Sequence, residues 1–386
     1  MLVPAPSHGL RLICSVGVAL AAVCWLPRGA AACGGGGVSS SNGVVANAQR
    51  IVMSVRGSTT DIVVQIGVPA TTADYGVLIP TDSQPTLDAQ PISEQDLASL
   101  DAATAPRVFI QQPAKSTEGC GCDRAASNES ANGGGASSED GGISVSAPVG
   151  IGPVEAVVLT GDTGDAVTAW LAANNFLLGT DGQSIVSAYA GTGRYFIAIR
   201  RSDTAATGAP TSIGVHYTLN GAHQKLSLGF ARLGAAPNVA FTLFNATVDR
   251  SGPLSPYAAL RLTDLDPATL RNGRYADALA TAVTAHGNRA FVLEAETTKA
   301  SLAGRQVGPS LLGLVDDDAT IVRMSTIIAS ATLSGDAFFG PYAGGAIDNS
   351  VYVQNEGPAV LYASAGLFPA LLLVMTWRRR SGRRPR

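Results

Sequence analysis

The sequence predicts an α+β fold, a β-rich exported domain with a few helices, followed by one C-terminal transmembrane helix. Three observations carry this. Short runs rich in Val, Ile and aromatic residues recur between Gly, Pro, Asn and Asp, the pattern of strands bounded by turns. These runs come in groups, with only occasional helical spacing between them, instead of in strict alternation with helices. Pro358 to Trp377 is a stretch of 20 residues without a charge. About 20 such residues at 1.5 Å each span the roughly 30 Å hydrocarbon core of a bilayer.

Residues 1–32 read as a signal peptide. Arg11 opens it, an acid-free apolar run from Leu12 to Leu26 follows, and the small residues Gly29-Ala30-Ala31-Ala32 suit cleavage near Ala32 and Cys33. An uncleaved N-terminal helix is the structural alternative. A lipid-bearing Cys33 is a weaker one, because Ala30 stands where a lipoprotein signal carries a larger aliphatic residue.

An N-terminal β-rich part covers residues 33–114. Its strand runs are Arg50 to Val55, Asp61 to Ile66, Tyr75 to Pro80 and Arg107 to Ile110. Ser93 is placed to cap a short helix reaching Leu100, with Glu94 and Asp96 in its first turn. Residues 115–142 contain no Val, Ile, Leu, Met or aromatic, and seven of the 28 are Gly. Such a stretch buries too little apolar surface to fold and reads as a loop or linker.

The main α+β part covers residues 143–355. It opens with a strand from Val154 to Leu159, then a helix capped by Asp162 or Thr163, with Val167, Trp170 and Leu171 as its buried stripe. A short helix from Gln183 to Tyr189 follows. Strands are predicted at Tyr195 to Ile199, Ser212 to Tyr217, Lys225 to Phe230 and Val239 to Val248. Tyr275 to Ala285 is a helix stopped at Gly287, Phe291 to Glu294 a strand, and Ile321 to Ile328 and Ser350 to Val353 late elements.

The chain closes with the transmembrane segment 358–377 and the Arg-rich tail 378–386. The stop is set by Arg378, Arg379 and Arg380, and six arginines in all follow Trp377. Positive charge beside an apolar span marks the cytoplasmic side. The predicted place is thus a bacterial cell membrane, single-pass, with the large domain outside and the C-terminus in the cytoplasm. Removal of the tail after export is the variant with the same orientation.

This segmentation changes the meaning of the net charge of −3. Two of the 26 basic residues fall in the leader and six in the tail, so 18 face all 29 acids in residues 33–377, a balance of −11. An acidic domain is a poor partner for nucleic acid or anionic lipid. Only 14% of residues are charged, which also excludes a disordered polyelectrolyte.

Five cysteines are present, and Cys14 and Cys24 lie in the leader. Of the remaining three, Cys120 and Cys122 can close a small ring, or either can pair with Cys33. A Cys-x-Cys pair alone does not supply the four ligands of a structural zinc site.

In order along the chain, these features resemble a bacterial family catalogued as domain of unknown function 2330. They are Ala32-Cys33-Gly34-Gly35, Asn47 to Ile51, Tyr75 to Pro80, the Cys120-Gly121-Cys122 loop and Gly152 to Leu159. Trp170 to Phe176, Arg194 to Ile199, Leu226-Ser227-Leu228, Phe291 to Glu294, Ile321 to Thr326 and Gly335 to Phe339 continue the likeness. It spans roughly residues 33–355. The resemblance implies an exported or membrane-anchored protein and lends no activity. Members often carry a second Cys shortly after the first, whereas Gly36-Gly37-Val38-Ser39 has none here, which leaves the pairing of Cys33 open.

Motifs that carry chemistry are sparse. His216, His223 and His286 lack metal-ligand spacing, and neither a nucleophile elbow nor a P-loop is present. Asp264-Leu265-Asp266 and Asp316-Asp317-Asp318 offer oxygens but do not match a calcium loop. Glu294, inside an apolar strand run, is either solvent-facing or a paired semi-buried acid, and Arg323 is one partner it can meet in space. No catalytic residue, metal ligand or cofactor is therefore expected. The expected role is a binding or structural module, with an unknown envelope protein or ligand as partner, the membrane as a second partner and no nucleic acid. The alternative is an extracytoplasmic hydrolase or thiol-redox enzyme with an unfamiliar site.

Overall fold

The computed structural model describes residues 36–37, 46–68, 76–111, 138–140, 142–176, 178, 180–202, 211–233 and 235–355. Residues 1–32, expected to be a signal peptide, Cys33, Cys120, Cys122, the 358–377 run and Arg378, Arg379 and Arg380 lie outside these residues. Among the described residues no helix is long and apolar enough to cross a membrane.

The fold is mixed α+β and strand-rich, built in four layers. A nine-stranded sheet runs Ala258–Arg261, Ala290–Thr298, Thr320–Ala329, Ala235–Thr247, Ala46–Arg56, Thr59–Val68 and Thr211–Asn220, and its far edge is finished by Thr86–Leu87 and Ile92–Ser93. Most neighbours are antiparallel; Ala46–Arg56 lies parallel to Ala235–Thr247 and Ala258–Arg261 parallel to Ala290–Thr298. A seven-stranded sheet is centred on Gly76–Thr81, Tyr195–Arg201 and Val154–Gly161. The parts on either side of residues 115–142 therefore share both sheets.

The Val/Ile runs form strands because both of their faces are buried. From the large sheet, Ile51, Met53, Ile62 and Val64 meet Val77, Ile79, Ile197 and Ile199 of the smaller one in the central core. The other face of the large sheet carries Val52, Val63 and Phe244, covered by Leu97 and Leu100 of the helix Glu94–Thr104 and by Leu311 of Pro309–Leu312. Helices Gly164–Ala173 and Thr180–Ala190 cover the outer face of the small sheet through Val167, Leu171 and Val186.

Helix boundaries follow their caps. The Ser93 hydroxyl accepts from Asp96 N at 3.0 Å, and the Thr163 hydroxyl from Ala166 N at 3.2 Å. Tyr275–Ala285 ends where Gly287 takes φ +65°, a left-handed conformation that favours glycine. We expect Thr163→Ala to destabilise the protein by about 1 kcal/mol and Thr163→Ser to leave it nearly unchanged. The urea midpoints of the two variants check this.

Two segments and one side chain differ from what the sequence predicts for them. Lys225 to Phe230 is not one strand: only Lys225–Leu226 pairs, and a 3-10 turn covers Phe230–Arg232. The edge position of this segment gives it a single partner strand, Ala337–Pro341. Ser138–Asp140, inside the 115–142 stretch, forms an edge strand on Ile143–Val145. Trp170 is half-buried, not core like Val167 and Leu171, and packs at a tilt on Phe176.

Candidate functional site

Charged residues set within apolar strands are the places to look for chemistry, because burying a charge demands partners. The large sheet concentrates them on its helix-covered face, in two networks separated by the apolar patch of Val52, Val63 and Leu97.

The first network starts at Glu294, which is fully buried. It is the extra residue of a β-bulge: Leu293 opposes Met324 and Ala295 opposes Arg323. A bulge re-aims the side chain of its extra residue. Glu294 Oε2 accepts from Arg323 Nε at 2.5 Å, and its Oε1 accepts from the Tyr275 hydroxyl. Arg323 Nη1 reaches the Asp101 carboxylate at 2.5 Å and the Asp101 carbonyl at 2.9 Å, and its guanidinium sits 5.5 Å from the Phe244 ring. Asp101 in turn accepts from Arg50 Nη2 at 2.8 Å. Arg50 Nη1 donates to Gln65, and Gln65 to Ser212 at 2.7 Å. The chain of contacts thus crosses the sheet and ties helices Glu94–Thr104 and Tyr275–Ala285 to it. Burial and the neighbouring Glu294 charge raise the Tyr275 hydroxyl pKa far above its ordinary value. The pairing of Glu294 with Arg323, left open by the sequence, is present.

The second network holds His216. Nε2 lies 3.0 Å from Asp61 and Nδ1 3.1 Å from Asp88. Both ring nitrogens face carboxylates, an arrangement satisfied only by the doubly protonated ring. Asp61 also accepts from Thr218 at 2.8 Å and from Arg56 Nε at 2.6 Å. Burial alone would lower the His216 pKa, but the Asp61 and Asp88 hydrogen bonds and charges outweigh it and raise the value above 6.5. Burial would raise Asp61, but His216, Thr218 and Arg56 hold it below 3.8.

The pH dependence follows from these directions. The raised His216 pKa gives stability that is full below 6.5 and lost as pH climbs through the folded value. The lowered Asp61 pKa gives stability that is full above 3.8 and lost as pH falls through its folded value. We expect the urea midpoint of the wild type to fall from about pH 5.5 to about pH 9 by more than that of His216→Asn. Equal falls would show that His216 does not contribute.

A third cluster sits where the small sheet meets the strands Lys225–Leu226 and Ala337–Pro341. Asp82 and Arg194 flank the paired residues Thr81 and Tyr195, and Asp336 immediately precedes its strand. Arg194 bridges Asp336 at 2.9 Å and Asp82 at 3.5 Å, while Lys225 contacts both acids. Tyr189 donates to Asp336 at 2.8 Å, and Arg194 lies 4.4 Å from the Tyr189 ring centre. Burial would raise Asp336, but Arg194, Tyr189 and Lys225 hold it below the usual carboxylate value. Asp82, His223 and Lys225 rim a slot between the sheets walled by Ile51, Met53 and Tyr217, with a volume of about 40 Å³. That admits water, not a ligand of ordinary size.

Ligand-scale space lies elsewhere. A groove of about 340 Å³ is lined by Thr104, Glu296, Arg305, Ile347, Asp348 and Asn349, at the small end of ligand pockets. Glu296 is held there in a two-point clamp by Arg250, at 2.6 and 2.8 Å. Arg305 donates to the Ala103 carbonyl at 2.5 Å.

The remaining sequence candidates are spent on local structure. Asp264 accepts from Arg261 N and Asp266 from Thr269 N, both at 2.7 Å. Asp317 is exposed and pairs with Lys299 at 2.8 Å. His286 Nδ1 donates to the Ala282 carbonyl at 2.9 Å. Among the described residues no group of three His, Cys, Asp or Glu is placed to hold a metal. One hydroxyl–imidazole contact resembles a nucleophile and base: Ser83 Oγ lies 3.4 Å from His223 Nε2. The same nitrogen is 2.7 Å from the Asn220 carbonyl, which only accepts. Nε2 therefore carries the proton and cannot take one from Ser83.

Fold and clusters together define a strand-rich α+β protein with two stacked sheets, braced internally by charge. The chain belongs to the family described as uncharacterized protein conserved in bacteria, domain of unknown function 2330, whose model matches residues 27–220. The curated proteins and the solved structures contain no match to it.

Proposed function

We propose that the chain is an exported envelope protein, held in the bacterial cell membrane by residues 358–377, whose folded domain acts as a binding or structural module. The supporting observation is where the ionisable groups spend their hydrogen bonds. Both nitrogens of His216, Nε2 of His223 and Nδ1 of His286 are engaged by carboxylates or carbonyls. Glu294, Asp61, Asp101 and Asp336 are each engaged by arginine. Such groups brace a fold and are poorly placed to move protons on a substrate. The groove beside Arg305 and Asn349 is where the module would take a small polar ligand, since four chain segments converge there.

Export and anchoring rest on the two apolar segments and the arginines beside them. Outside the cytoplasm, a disulfide among Cys33, Cys120 and Cys122 is favoured. Rapid alkylation of all three in the exported protein would contradict it. The principal test is alkaline washing of membranes from cells that make the full chain. The proposal expects the protein to stay with the lipid; release into the wash would overturn anchoring.

A further inference from the structure

The last described strand, Ser350–Gln354, pairs in parallel with Arg107–Gln111 as a separate two-stranded ribbon. Its inner face is anchored: Val351 and Val353 are buried in the central core. Its outer face is apolar and uncovered. Phe109 is 43% and Tyr352 60% exposed. The Phe109 and Tyr352 rings stack with centres 5.2 Å apart at 19°. An exposed stacked aromatic pair on an uncovered face marks a place for a partner.

Two observations point to which one. The first is chain reach. The 358–377 run begins six residues after Tyr352, and six residues extend at most about 20 Å. The second is charge. The domain carries −11, yet residues 105–111 and 349–355 contain no acid and one base, Arg107. Between Ser350 and Trp377 the single charge is Glu356. The two ribbon strands are thus acid-free and aromatic within an otherwise acidic domain, and the chain leaves for its apolar run from one of them. Tyr and Phe with this exposure match the interfacial layer of a bilayer, which takes rings apolar in body and polar at one tip.

We infer that the Phe109–Tyr352 face is a membrane-contacting foot, seated in the headgroup layer of the membrane that carries residues 358–377. This rests on the anchoring proposed above. It adds that the domain is held against the lipid at a fixed tilt instead of swinging on a tether. The groove at Asp348 and Asn349, which precede the ribbon strand directly, is then kept close to the membrane surface.

The test is tryptophan quenching of the processed chain, which lacks residues 1–32 and so Trp25, in vesicles of phosphatidylcholine and phosphatidylglycerol with brominated acyl chains. Native Trp377 reports on the anchor, and half-buried Trp170 is remote from the ribbon in the helical layer. Tyr352→Trp and Phe109→Trp place a reporter on the foot; Val248→Trp, at a position 64% exposed, is the control off it. The foot predicts that the added residue at 352 or 109 loses about half its emission, while the one at 248 loses none. Two replacements on the foot guard against one variant failing to fold. If the unsubstituted protein shows no bromine quenching, anchoring itself fails. If it is quenched but the 352 and 109 reporters behave like 248, anchoring stands and the foot is overturned. A blue-shifted, unquenched 352 reporter would assign the face to a second copy of the chain and would also overturn it.

Discussion

Replacing Arg323 by Met is expected to destabilise the protein by about 3–5 kcal/mol. Glu294 is fully buried and has Arg323 Nε on one oxygen and the Tyr275 hydroxyl on the other. Removing the guanidinium leaves a fully buried carboxylate with one neutral donor, and strips Asp101 of one of its two arginines. An unpaired buried charge costs more than the pair contributes over an apolar substitute. The double variant Arg323→Met with Glu294→Leu is therefore expected to recover part of the loss. Urea unfolding of the two variants reads the sign directly. A single variant within about 1 kcal/mol of wild type would mean that water reaches the pair.

Gly164→Ala is expected to cost about 1–3 kcal/mol, although alanine is the better helix former by up to about 1 kcal/mol. The two effects have opposite signs, so the outcome discriminates between them. A methyl at Gly164 would lie 2.5 Å from Ser187 Cα and 2.6 Å from Ser187 Cβ. The obstacle is backbone, which cannot swing aside as a long side chain can. Helices Gly164–Ala173 and Thr180–Ala190 must move apart, loosening Val167, Leu171 and Val186 over the small sheet. Ser187→Gly in the same chain should not restore the stability, because it keeps the Cα and the carbonyl that the methyl strikes. Thermal unfolding of the single and double variants checks both statements, and a stabilised single variant would contradict the packing.

Much of the fold was legible where a segment's own pattern decides its state. The strands from Arg50 and Asp61 were readable because they are long Val/Ile runs buried on both faces. Tyr275–Ala285 was readable because its apolar spacing ends at a glycine with the required backbone. Pro267–Arg271, Lys299–Ala303 and Pro309–Leu312 were missed: helices of four or five residues show barely one turn of periodicity. Lys225 to Phe230 misled because β-type residues there lie on a short edge that then turns.

The clusters were legible only as anomalies. A charge inside an apolar run flagged Glu294, and the same signal stood at Asp61, His216 and Arg323. Their partners were not readable. Asp101 meets Arg323 across 222 positions, and Glu294 meets it only because a bulge turns its side chain toward the helices. Contacts of this kind are set by register and layer packing, which no local pattern encodes. The foot was hidden for the same reason: Phe109 and Tyr352 stack because two strands far apart in sequence pair in parallel.

Everything proposed about this chain depends on a folded domain outside the cytoplasm and arginines inside it. Paired reporters fused after Arg386 in the full chain measure this most directly, one active only in the cytoplasm and one only outside. The cytoplasmic reporter is expected to be active and the other silent. The reverse pattern would contradict that placement.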